Sequence, residues 1–233
     1  MRKDQRIGVV IPALNEEQAI GRVIADIPDW VDEIVVADNG SHDTTAAAAQ
    51  SAGARVVTES QRGYGAACQA GVQALQAPDI VVFLDGDYSD RPQEMAALVD
   101  PIVAGAADFV VGSRVRGVRE RGALSPQQRF GNWLACRLIG RFWGTACSDL
   151  GPFRAIRADA LKKLNLEDRA YGWTVEMQLK AAEAGLKYLE VPVSYRARIG
   201  ASKISGTIYG SMMAGVTILS VIARTAWRAH RSA

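Results

Sequence analysis

The chain has 233 residues, 48% of them hydrophobic and 22% charged, with a formal net charge of +2. That is enough apolar material for one substantial core, and the charge is too balanced for a general nucleic-acid-binding surface. Three cysteines without CxxC spacing and only two histidines argue against a disulfide framework and a zinc site.

The N-terminal MRKDQR has neither a long apolar stretch nor a small-residue cleavage site after it, so a cytoplasmic location is expected. IGVVI, residues 7–11, predicts a buried strand, followed by PALNEEQAIGRVIADI, where Asn15 is placed to cap a helix starting at Glu16. EIVVAD (33–38) predicts a second strand, and NGSHDTT turns into an Ala-rich helix over 44–52. ARVVTE (54–59) is a third strand, with RGYGAACQAGVQAL supplying a Gly-rich turn and a helix. IVVFLD (80–85) is a fourth, Pro92 starts a helix running to about Ala104, and DFVVGSR (108–114) is a fifth strand.

Strands rich in Val and Ile that alternate with helices predict an α/β fold, Rossmann-like, with a mainly parallel sheet covered on both faces. In such sheets the ligand crevice lies at the carboxyl ends of the strands. Asp38, Asp85, Asp87 and Arg114 fall at those ends.

VRGVRERGALSPQQ reads as a polar loop. The helix expected over 128–143 carries Phe130, Trp133, Leu134, Leu138 and Phe142 with Arg129, Arg137 and Arg141, a pattern that suits either core packing or an in-plane membrane helix. GPFRAIR (151–157) and KYLEVPVSY (187–195) read as strands, with a helix over 173–184 between them. From Ile204 to Ala223 there is no charge, and Gly206, Gly210 and Ala214 recur every fourth position. This reads as a packed or membrane-interfacial helix more than a span. The expected organisation is one domain over 1–203, in two halves (1–114 and 115–203), and a helical segment over 204–233.

FLDGDYSD, residues 83–90, places three carboxylates at the end of an apolar strand. Two aspartates this close call for a counter-charge, and oxygen ligands completed by phosphates and water favour Mg²⁺ or Mn²⁺. The competing reading is a solvated acidic turn ahead of Pro92. An EF-hand is excluded, because Ala96 stands where the twelfth-position Glu belongs.

VVIPALNEE, VVADNGSHDTT, RGYGAACQAG and FLDGDYSDRP, in that order, resemble family 2 glycosyltransferases of the GT-A fold. SDLGPFRAIR and GWTVEMQLKAAEAGLKYLEVPVSYRARIGASKISGT resemble the branch containing dolichol- and polyprenyl-phosphate mannose and glucose synthases, which makes residues 1–114 the nucleotide-sugar-binding half and 115–203 the acceptor half of the domain. The resemblance implies a UDP- or GDP-hexose donor, inversion at the anomeric carbon and Mg²⁺ or Mn²⁺ held by Asp85 and Asp87. It assigns Pro12, Asn15, Glu17, Asp38, Gly63, Asp85, Gly86 and Arg114 to the nucleotide-sugar, and Arg154, Arg198, Ser202 and Lys203 to donor or acceptor phosphates. Asp87 is the expected catalytic carboxylate, with Glu176 or Asp149 as base if one is needed. This chain has DNGS where relatives often have DDGS, so Asn39 replaces a carboxylate.

The expected acceptor is a polyprenyl phosphate or another small acceptor. A hydroxyl acceptor needs a base, whereas a phosphate is already anionic near neutral pH. The alternatives are transfer to a soluble or saccharide hydroxyl, or sugar nucleotidylyl transfer, although IPALNEE lacks the Gly-rich phosphate loop of the latter. Further expected partners are the inner face of a membrane, contacted peripherally, and a second copy of the chain, but not nucleic acid.

Overall fold

A computed structural model describes residues 2–200 and Ser220. Ser202, Lys203 and the segment expected to be helical after residue 203 therefore lie outside the described residues, Ser220 excepted. Seven strands form one sheet: β1 (Ile7–Ala13), β2 (Glu33–Asp38), β3 (Arg55–Thr58), β4 (Ile80–Phe83), β5 (Phe109–Ser113), β6 (Arg154–Arg157) and β7 (Tyr188–Pro192), in spatial order β3-β2-β1-β4-β6-β5-β7. All neighbours pair in parallel except β6, which runs antiparallel between β4 and β5. The helices are α1 (Ile20–Ala25), α2 (Thr45–Ser51), α3 (Tyr64–Ala74), α4 (Met95–Val103), α5 (Pro126–Trp143), α6 (Ala158–Leu164) and α7 (Trp173–Glu183).

The period-2 alternation of strand side chains explains why nearly every residue of the central strands is apolar. Ile7, Val9, Ile11, Ile80 and Val82 point to one face, where they meet Ile20, Val23, Met95 and Leu98 of α1 and α4. Val10, Val35, Val81, Phe83, Phe109 and Val111 point to the other, against Cys68, Leu161, Trp173 and Met177 from α3, α6 and α7. Each such side chain contributes about 1.5–3 kcal/mol on burial. A smaller cluster joins α5 to α7 through Ala135, Ile139, Val175 and Leu179.

Two local expectations are corrected. Asn15 does not cap a helix at Glu16: its backbone is left-handed (φ 52°), a turn fills residues 16–19, and α1 starts at Ile20. The seven-residue α6 was not expected; Asn165 closes it in a left-handed conformation (φ 45°). The long amphipathic helix is present and starts slightly earlier than expected, because Ser125 and Gln128 form a capping box around Pro126. Among the described residues, no helix is long and apolar enough to cross a membrane.

Candidate active site

The carboxyl ends of β1, β2, β4 and β5 bring the predicted polar residues to one edge of the sheet. The loops after β1 and β2 are sewn together. Asn15 Oδ1 accepts the His42 amide at 2.8 Å, and Glu17 Oε2 accepts the Thr44 amide and hydroxyl at 3.0 and 2.7 Å. Asp38 accepts the Ser41 amide at 3.2 Å and its hydroxyl. Pro12 lies within β1, in register with Ala37.

Asn39 explains the departure from DDGS. Its Nδ2 donates to the carbonyls of Glu59 (3.0 Å) and Gln61 (2.7 Å), while its Oδ1 accepts the Gly63 amide (2.8 Å). A carboxylate could make only the third of these bonds. Gly63 itself has φ 146°, and a Cβ there would sit 2.0 Å from the Arg169 carbonyl oxygen. The turn at residues 168–170 is this close because the Gly65 and Ala66 amides, at the start of α3, donate to the carbonyls of Ala170 (3.0 Å) and Arg169 (2.9 Å).

Past β4, Asp85 Oδ1 accepts the Tyr64 hydroxyl at 3.2 Å. Asp87 Oδ1 accepts the Ser89 amide (2.9 Å) and hydroxyl (2.6 Å), and its Oδ2 faces Arg198 at 3.3 Å. Gly86 lies between the two aspartates, where a Cβ would meet Ile20 at 3.4 Å and Ile11 at 3.5 Å. Burial, and then the charge of Asp87, pushes the Asp85 carboxyl up to about 7. Burial, and then Asp85 and Asp87, likewise raises Asp90, whose Oδ1 is buried with no hydrogen-bond partner. Desolvated carboxylates that repel one another are what a divalent cation relieves, so the residues fit such an ion. Among the described residues no three His, Cys, Asp or Glu side chains form a complete cage. The protein would thus supply the aspartate pair, and phosphates and water the remaining ligands.

Three predicted site residues are committed elsewhere. Asp149 is fully buried, and both of its oxygens bind Arg114: Oδ2 takes the Arg114 amide (2.7 Å) and Nε (2.9 Å), and Oδ1 takes a terminal nitrogen (2.7 Å). That leaves it badly placed to act as a base, and fixes Arg114 over the Tyr195 ring at 5.1 Å. Glu176 accepts the amides of Glu167 (3.0 Å) and Asp168 (2.7 Å) and pairs with Lys180 at 2.8 Å. It anchors the turn that packs on α3. Arg154, expected at a phosphate, is 1% exposed and turns inward, donating to the carbonyls of Leu150, Gly151 and Thr174.

Sequence reading missed Tyr64, Glu16 and Glu190 as site-building residues. Glu16 pairs with Arg198 at 3.0 Å. Glu190 accepts the Ser148 amide and hydroxyl, both at 2.7 Å, and so steadies Asp149. All three lie inside motifs that the sequence displayed, Tyr64 in RGYGAACQAG, Glu16 in VVIPALNEE and Glu190 in KYLEVPVSY, but the motifs do not say which side chains they meet.

The description "Glycosyl transferase family 2" belongs to the family model that matches residues 8–164. An uncharacterised glycosyltransferase of Mycobacterium tuberculosis is 38% identical over 219 residues, covering 93% of this chain and 97% of its own. A dolichyl-phosphate hexose transferase of Haloferax volcanii is 34% identical, over 92% of this chain and 93% of its own. Among solved structures, glucosyl-3-phosphoglycerate synthase from Mycobacterium tuberculosis, in complex with Mn²⁺, UDP and glucosyl-3-phosphoglycerate, superposes with a TM-score of 0.74 at 26% identity, covering 94% of this chain and 81% of that one. A sheet whose polar residues gather at the strand ends thus has its counterpart in enzymes that move sugars, and the chain belongs to glycosyl transferase family 2, with the GT-A fold.

Proposed function

We propose that this glycosyltransferase moves a hexose from a UDP- or GDP-sugar to a polyprenyl phosphate, with inversion and with a divalent cation. Family membership sets aside the nucleotidylyltransferase alternative. The observation that carries the acceptor class is the commitment of both candidate bases: Asp149 to Arg114, and Glu176 to the amides of Glu167 and Asp168. A phosphate acceptor needs neither. The likeness to the Haloferax volcanii dolichyl-phosphate hexose transferase supports the same class. So does α5, which exposes Phe130, Trp133 and Phe142 beside Arg129, Arg137 and Arg141, a surface suited to the headgroup layer where such a lipid resides.

In this reading Pro12, Asn15, Glu17, Asp38 and Gly63 surround the nucleoside, and Gly86 sets its backbone beside the sugar. Arg114 and Arg198 face the phosphates. Ser202 and Lys203, which follow Arg198 in the sequence, would extend that basic set. An acceptor phosphate oxygen attacks the anomeric carbon opposite the nucleotide. The bond from that carbon to the diphosphate oxygen breaks, and its electron pair leaves with the diphosphate. No proton need move. A divalent ion bound at Asp85 and Asp87 would draw off the charge that gathers on the leaving group, and each well-placed contact of this kind is worth about 10²–10³ in rate.

A second reading, transfer to a hydroxyl of a small phosphorylated acceptor, is favoured by the fold match to glucosyl-3-phosphoglycerate synthase. One assay separates the two. UDP- and GDP-sugars are screened for hydrolysis with Mn²⁺, and the best donor is then offered polyprenyl phosphate or 3-phosphoglycerate. Sugar appearing on the lipid supports the proposal, and sugar appearing only on phosphoglycerate overturns it.

A further inference from the structure

The position of Arg198 is more constrained than that of a cation waiting for a phosphate. Its guanidinium lies between Glu16, at 3.0 Å, and Asp87 Oδ2, at 3.3 Å, and both carboxylates are more than nine-tenths buried. The chain itself delivers it there: the Ile199 amide donates to the Asp87 carbonyl (2.9 Å), and the Arg196 amide to that of Ser89 (3.0 Å). Asp87 Oδ1 is taken by Ser89. The oxygen left for a cation is therefore the one that Arg198 holds. Meanwhile Arg198 Nε is buried with no hydrogen-bond partner, a donor still to be satisfied.

We propose that Arg198 is the built-in counter-cation of the aspartate pair, and that it exchanges Asp87 for the donor's diphosphate as the divalent ion is seated, so that ion and nucleotide bind together. This rests on the reading of Asp87 as a metal ligand. A guanidinium and a divalent ion cannot both lie against one buried carboxylate oxygen without strong repulsion. The ion alone must push the guanidinium off Asp87 and leave it with Glu16 as its one carboxylate partner. A diphosphate supplies a second partner, because its oxygens match the planar fork of arginine and can take up Nε as well. Reciprocity then requires the nucleotide to tighten ion binding by the same factor as the ion tightens nucleotide binding.

The test is Mn²⁺ binding without turnover, followed by the loss of the free-ion electron paramagnetic resonance signal. Wild-type protein, Arg198→Gln and Arg198→Lys are titrated with and without UDP or GDP, after equal thermal midpoints show that all three are folded. Wild type and Arg198→Lys are expected to bind Mn²⁺ alone weakly. Arg198→Gln should bind it about 5–150-fold more tightly, the usual range for coupled ligands, and should lose most of the nucleotide's tightening effect. Equal affinity of wild type and Arg198→Gln for Mn²⁺ alone overturns the proposal. Asp87→Asn in the Arg198→Gln background tells which premise failed. If it abolishes Mn²⁺ binding, the metal assignment stands and only the exchange is wrong; if Mn²⁺ binding persists, the metal assignment falls and the exchange with it.

Discussion

Asn39 does with an amide what a carboxylate in its place would oppose. Asn39→Asp keeps the bond from the Gly63 amide but sets a charge against the carbonyls of Glu59 and Gln61. A loss of about 1–3 kcal/mol is expected, measurable as a lowered denaturation midpoint, with a raised KM for the donor because the loop bearing Gly63 shifts. Asp87→Ala should lower transfer by about 10²–10³ while the circular dichroism spectrum is unchanged; retention of full activity would remove the metal from the reaction. Asp85 makes a pH prediction. Its folded carboxyl titrates at about 7, above the ordinary 3.8, so between those values the folded state holds the extra proton. Stability of the metal-free protein should therefore fall as pH rises from about 4 to 7. Asp85→Asn makes that slope shallower, the raised Asp90 keeping a share of it, and in chelator it should unfold at a higher temperature than wild type at pH 8, the gap closing below pH 4. Of these residues the sequence displayed the aspartates, the unusual Asn39, Gly63 and Arg198, but not which of them pair. Arg198 is 182 positions from Glu16 and Arg114 is 35 from Asp149, separations that no local pattern encodes.

At the scale of elements, the strands were the most legible part of the chain. Runs such as EIVVAD, buried on both faces, allow few other structures, and β2 occupies the same residues as expected. Element ends were less legible, since a turn such as that at residues 16–19 is stabilised by the neighbouring loop and not by its own sequence. The link from α7 to α3 has a consequence that can be measured. Glu176 holds the amides of Glu167 and Asp168, and the carbonyls of Arg169 and Ala170 that follow cap α3 and so place Tyr64 against Asp85. Glu176→Gln replaces a charge-assisted acceptor with a neutral amide. It should cost about 1–3 kcal/mol of stability, and should reduce transfer to phosphate and hydroxyl acceptors by equal factors, whereas a base would be needed only for the hydroxyl. Acceptor-dependent losses in paired assays would restore Glu176 as a base.

Across the whole molecule, the crevice at the strand ends was legible because it follows from a parallel sheet covered on two faces. The direction of β6 was not, because a four-residue strand with three buried positions, RAIR, carries no pattern that distinguishes one orientation from the other. The exposed aromatic residues of α5 also act at this scale. Trp133→Ser with Phe142→Ser removes two half-exposed rings from a helix already held by Ala135 and Ile139, so the fold should survive. Sedimentation with vesicles containing anionic lipid should drop several-fold relative to wild type, and unchanged sedimentation would take α5 off the membrane.

The antiparallel strand between β4 and β5 also limits how such enzymes can be recombined. Cutting the chain at Arg114 to graft on another acceptor region would leave three hydrogen-bonding ladders unmatched on the donor side of the cut, β4 with β6 and β5 with β6 and β7. A swap meant to change what receives the sugar must therefore import its own equivalent of residues 154–157 in the same orientation, with an inward arginine to fasten it. On the proposed division at residue 114, recognition of the acceptor and integrity of the donor platform are inherited as one piece.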